Sequence, residues 1–201
     1  MKKLIAISLI SVFALANEGN ATKADSNATQ AQNPNMAVAK EGVKYIKMLG
    51  KALKENVGKN LKADPTGLKA AEFCSQKAKE VAQEVSKNFP ENIKVRRTAI
   101  KYRNPKNKPD ATDLEVLNKM DEALKAKTLE KKPMVVDVNG TKRVYVPLIV
   151  EKACTKCHGD VAKMDPKVQE VIKKAYPEDK AVGFKEGDLR GAVVAEIEPK
   201  K

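Results

Sequence analysis

Residues 134–158, MVVDVNGTKRVYVPLIVEKACTKCH, decide how the chain reads. Two valine-rich runs flank Asn139-Gly140, a dipeptide that closes two-residue hairpins because both positions tolerate positive φ. The predicted hairpin leads directly into Cys154-Thr155-Lys156-Cys157-His158, which holds the chain's only histidine. C-x-x-C-H is the spacing at which haem c is attached: the two thiols add across two porphyrin vinyl groups, and the adjoining imidazole becomes the proximal iron ligand. A thioredoxin-like dithiol shares the C-x-x-C part, but it belongs at a helix start after a strand in a βαβ pattern. A zinc site needs four soft ligands and would have to recruit the distant Cys74, the one remaining cysteine. The run is therefore read as the site of one covalent haem c, with Cys154 and Cys157 as thioether positions and His158 as an axial ligand.

The N-terminus places this chemistry in a suitable compartment. Lys2 and Lys3 precede the apolar run Leu4 to Ala16, and Ala14-Leu15-Ala16 fits a small-x-small cleavage site. Residues 1–16 are read as a bacterial signal peptide that exports the chain to the periplasm. The run is shorter than the roughly 20 residues of a membrane-spanning helix, so no integral span is expected in the mature chain. Residues 17–35, NEGNATKADSNATQAQNPN, are polar without apolar periodicity and read as a disordered leader. Residues 36–201 are left as the haem-binding domain.

Without the first 16 residues the charge is about +11 before any haem propionates are counted. That balance suits an acidic partner or an anionic membrane surface, although solvation of helix faces by lysine is the simpler explanation. Nucleic acid is excluded as a partner by the export signal and by the scarcity of stacking residues, with four Tyr, four Phe and no Trp in 201 residues.

Between leader and motif, Val43, Ile46, Leu49, Leu53 and Val57 form the stripe of an amphipathic helix. Asp64-Pro65 supplies an N-cap and first-turn proline for a second helix that runs to about Asn88. NIKVRRTAIKY (92–102) reads as a strand, and Leu114, Leu117 and Leu124 mark a third helix. After the motif come a short helix (DPKVQEVIKKAY), a loop and a terminal strand (RGAVVAEIE). Helices segregated from an antiparallel sheet of about four strands define an α+β fold.

The second axial ligand cannot be a histidine, because none remains. A methionine, the third cysteine, a lysine, a tyrosine or an open position could stand there. Cys74 is favoured because Ala71, Cys74, Ala78, Val81 and Val85 recur at spacings of three and four, which places it on the expected buried stripe between small neighbours. Met120 and Met164 are the rivals. Arg97, Arg103 and Arg190 are candidate partners for haem propionates, while Tyr102, Tyr145 and Phe184 are read as packing residues.

AAEFCSQKA, RRTAIKYRNPKNKPD, ACTKCHGD and YPEDKAVGFKEGDLRGAV, taken together and in that order, resemble the bacterial c-type-haem PAS-like domain family, over residues 36 to 198. The resemblance implies a PAS-like fold with N-terminal helices and a single covalent haem. It further implies iron ligation by His158 and by Cys74, which matches the helical cysteine of some members. Members occur alone in the periplasm or as sensory modules. The expected role is a mono-haem cytochrome that senses redox state or a diatomic gas by ligand exchange and signals to a periplasmic partner. The alternative is a simple electron-transfer cytochrome. Catalysis is not expected, since no second histidine can serve as a distal acid or base.

Overall fold

The computed structural model describes residues 34–130 and 132–200. The expected signal peptide and the leader up to residue 33 lie outside the described residues. Pro34 and Asn35, expected in the leader, already belong to helix α1 (Pro34–Ala63).

The apolar stripe of α1 forms as its periodicity requires. Tyr45, Ile46 and Leu49 are buried, and Leu53 and Val57 are half-buried. Gly42 lets α1 lie close to the sheet, because a Cβ there would stand 2.6 Å from the Val144 side chain. The next turn departs from expectation. Asp64 Oδ1 accepts from the Thr66 amide and hydroxyl, at 3.0 and 2.7 Å, and Oδ2 from the Lys69 amide at 3.4 Å, so Asp64-Pro65 makes a side-chain-closed turn whose carboxylate still reaches a first-turn amide of the next helix. Helix α2 (Leu68–Glu72) begins only after Gly67. It continues through a π-helical turn (Phe73–Lys77) into α3 (Ala78–Ser86).

Four strands form one antiparallel sheet in the order β1-β4-β3-β2: β1 (Ile93–Thr98), β2 (Met134–Val138), β3 (Thr141–Ile149) and β4 (Leu189–Ile197). The Asn139-Gly140 hairpin is present, with φ of 51° and 84° at its two turn residues, as a primed turn demands. The expected α+β class therefore stands: N-terminal helices and a four-stranded antiparallel sheet.

Alternation along the strands builds a core on each face. Val144, Val193, Ala195 and Ile197 meet Tyr45 and Ile46 of α1. Tyr145, Ala192 and Val194 turn the other way and meet Val116, Leu117 and Met120 of α4 (Ala111–Lys125). Leu114, expected on the inner stripe of α4, is 41% exposed, and the helix uses Val116 and Met120 instead.

A charged knot seats α4 on the sheet. Asp110 caps the helix by accepting from the Asp113 amide at 2.8 Å. The Asp113 side chain is 1% exposed and accepts from Arg96 Nη1 and Nη2 at 2.7 and 3.0 Å and from the Tyr145 hydroxyl at 2.8 Å. Burial opposes ionisation of Asp113, but the hydrogen bonds from Arg96 and Tyr145 outweigh it and hold the carboxyl below its ordinary range. A pKa lower in the folded than in the unfolded chain contributes stability above the unfolded value of about 3.9 and loses it as pH falls through the folded value. Asp113→Ala is expected to cost about 3 kcal/mol at neutral pH. Urea unfolding should show that deficit shrinking toward acid, and a deficit constant down to the acid limit would contradict the assignment.

Candidate haem-attachment site

Cys154 closes a 3₁₀ turn (Lys152–Cys154), and α5 (Thr155–His158) adds one α turn. The Thr155 hydroxyl donates to the Lys152 carbonyl at 2.7 Å, and the Gly159 amide donates to Thr155 O at 2.9 Å, so the motif is wound tightly at both ends. Cys154 and Cys157 are free, half-buried thiols three residues apart, on one face of this turn. Cys157 leans on the cluster of Ala71, Met164, Val168 and Ile172, whereas Cys154 leans on Val150, Ala181 and Phe184. Burial and the neighbouring Cys74 push the Cys157 thiol up to about 11.

His158 is fixed by a loop that sequence reading passed over. Its Nδ1 lies 2.8 Å from the Ala181 carbonyl, an acceptor only, so Nδ1 carries the proton and Nε2 keeps its lone pair. The Phe184 amide donates to His158 O at 2.9 Å and the Gly183 amide to Gly159 O at 2.7 Å. The Phe184 ring meets the imidazole edge-on, with centroids 6.4 Å apart. Burial, reinforced by Arg103 and Arg190, pushes the His158 pKa well below its ordinary value. The result is a neutral, oriented imidazole with one nitrogen available to a metal.

Cys74 is not on a buried stripe. The π-helical turn inserts one extra residue into the helix, so Phe73 takes the inward position and Cys74 becomes exposed. Desolvation nevertheless raises its thiol pKa, while Arg97 and Arg103 pull it down. Cys74 acts electrostatically on Cys157 and on Tyr176, raising the pKa of both. The Tyr176 hydroxyl donates to the Cys74 carbonyl at 3.2 Å, tying the π turn to the end of α6 (Pro166–Ala175).

The methionines occupy core positions. Met120 is 1% exposed beneath α4, and Met164 is 7% exposed among Ala71, Val168 and Ile172. The three arginines differ. Arg97 is exposed on β1. Arg103 is drawn into the protein: it pairs with Asp179 at 2.9 Å and donates to Cys157 O at 2.6 Å and Ala181 O at 3.2 Å. Arg190 sits in a β-bulge, since Leu148 pairs with Gly191 and Ile149 with Leu189. It donates to Lys101 O at 3.0 Å, lies over the Phe184 ring at 5.3 Å, and keeps a buried Nε without a partner among the described residues. Asp188 accepts from the Lys185 amide, and Asp179 is the carboxylate that pairs with an arginine here.

A family model described as Tll0287-like matches residues 17–197. The chain belongs to the Tll0287-like family. Among solved structures it is similar to the crystal structure of the cyanobacterial heme-protein Tll0287, with 25% identity and a TM-score of 0.62 over 84% of this chain and 98% of that one. No curated protein matches the chain. For a Tll0287-like protein the donor set fits a covalent haem c. Two free thiols share one turn, a neutral imidazole presents one nitrogen, and the orphaned Nε of Arg190 lacks the anion that it would meet.

Ala181, Asp179 and Tyr176 complete the site and were not singled out from sequence, and Phe184 was read only as a packing residue, because each acts through backbone or long-range contacts that no spacing reveals. Tyr176→Phe should cost about 1 kcal/mol and release the π turn. Faster amide exchange across residues 73–78 would show this, and unchanged exchange there would remove Tyr176 from the site's support.

Proposed function

We propose that the chain is an exported mono-haem protein that senses redox state or a diatomic gas, with the haem held by Cys154 and Cys157 and the iron ligated by His158 and Cys74. The observation that carries the reading is the pairing of a fixed ligand with a yielding one. His158 is locked by the Ala181 carbonyl, whereas Cys74 stands on a π turn, which holds one residue more than an α turn and is frequent at functional sites. The family's characterised heme-protein supports the cofactor, and the antiparallel sheet with N-terminal helices supports the PAS-like description.

When bound, the haem supplies a one-electron iron couple whose sixth position can change partner. The protein's residues determine when it does. Burial pushes the Cys74 thiol pKa up and Arg97 and Arg103 oppose that rise; a metal-bound thiolate there would favour ferric over ferrous iron. A Cys74 side chain freed from the metal would let the π turn rewind and shift α3 against its neighbours, a two-state element of the kind a switch requires. The protein is not an enzyme in this reading, because two side-chain ligands leave no standing place for a substrate. Its output passes to a periplasmic partner, for which the basic surface favours acidic chemistry.

The test is absorption and electron paramagnetic resonance spectroscopy of the holoprotein, ferric and ferrous, in wild type and Cys74→Ala. Low-spin thiolate signals in the wild type should vanish in the variant, and carbon monoxide should bind the ferrous wild type. Spectra unchanged by the substitution, with a ferrous form indifferent to carbon monoxide, would return the protein to simple electron transfer. The double variant Cys154→Ala, Cys157→Ala should lose haem to acid and organic solvent, whereas wild type retains it.

A further inference from the structure

One carbonyl, Ala181 O, receives two donors from different parts of the chain: His158 Nδ1 at 2.8 Å and Arg103 Nη2 at 3.2 Å. The second donor is cationic. An acceptor that already shares its electron density with a guanidinium draws less on the imidazole proton, so the imidazole acquires less imidazolate character. The geometry is held from both sides. Asp179 takes Arg103 Nε at 3.0 Å through Oδ2 and the Ala181 amide at 2.8 Å through Oδ1, so a single carboxylate sets both the arginine and the peptide that carries the shared carbonyl. Arg103 also reaches Cys157 O at 2.6 Å, one residue before the imidazole. Its side chain is 11% exposed, so the charge acts with little screening by water.

We propose that Arg103 is a positioning residue that weakens the hydrogen bond behind the His158 imidazole and thereby raises the reduction potential of the iron that His158 holds. This replaces the propionate role expected from sequence and rests on His158 being an axial ligand. Less imidazolate character makes a poorer donor to ferric iron, and the nearby positive charge opposes the ferric state as well. Both effects act in one direction.

The experiment uses the holoprotein with isotopically labelled histidine, in which the chain's single histidine reports on this ring alone. Arg103→Gln should move the ferrous Nδ1 proton resonance to lower field and lower the midpoint potential. Arg103→Lys should move the resonance the same way with a smaller fall in potential, because the charge is retained and the fork is lost. Asp179→Asn leaves the guanidinium without its counter-charge and should raise the potential. If Arg103 were only a clamp on the loop, Gln and Asn variants would shift the potential together or not at all, and the Nδ1 resonance would not follow the charge. Either result overturns the proposal. Should Arg103→Gln not load haem, the Lys and Asp179→Asn variants decide it by the same signs. A spectrum in which Nε2 carries a proton would instead defeat His158 ligation itself, which separates the two failures.

Discussion

The hydrogen bond between His158 Nδ1 and the Ala181 carbonyl is the constraint from which the rest of the site follows. An imidazole on a one-turn helix has no fixed orientation of its own, and either ring nitrogen can carry the proton. A backbone carbonyl behind Nδ1 removes both freedoms. That carbonyl must itself be held, and here the Gly183 and Phe184 amides and the Asp179 carboxylate hold it. The motif Cys154–His158 therefore supplies the reactive atoms, while their orientation comes from residues more than twenty positions away. A short peptide carrying the motif would own the thiols and the ring without the aim.

Charge is the second constraint. Arg97, Arg103 and Arg190 all act on His158, and Arg97 and Arg103 act also on Arg190 and on Cys74, with Asp179 as the counter-charge that pairs directly with one of them. Burial and the other two arginines push the Arg190 pKa down to about 10. Such a cluster is unfavourable in isolation and becomes favourable when anionic groups enter, and a thiolate and carboxylates are groups of that kind. The knot around Asp113 on the far face of the sheet shows the opposite design, with its charges satisfied from within.

Much of this was legible from local chemistry. Asn139-Gly140 demanded the turn it makes, the C-x-x-C-H spacing marked the candidate site, and the alternation along β3 and β4 marked the sheet. Sequence reading failed where the backbone departs from a standard period or where distant segments meet. An α period put Cys74 on a buried stripe, whereas on the π turn it is exposed and Phe73 is buried. Leu114 was read with Leu117 and Leu124 as one helical stripe, but α4 buries Val116, Leu117 and Met120. Arg103 looked like a free cation because nothing in RRTAIKYRNPKNKPD announces Asp179, a partner 76 residues later. Asp64-Pro65 looked like a helix start, yet the Asp64 side chain found closer amide and hydroxyl donors on Thr66.

The bulge at Arg190 has a simple arithmetic. Leu189 already pairs with Ile149, and Gly191 already pairs with the preceding residue, Leu148. If position 190 were deleted, the two strands would zip without a gap. Gly191, beside the bulge, carries a φ of 148°, at which a Cβ would stand 2.4 Å from Thr98 O. The sheet is thus complete without its arginine. Position 190 is an insertion in the architectural sense, a residue that the strand must bow outward to carry, and the bow places a cation that acts on His158.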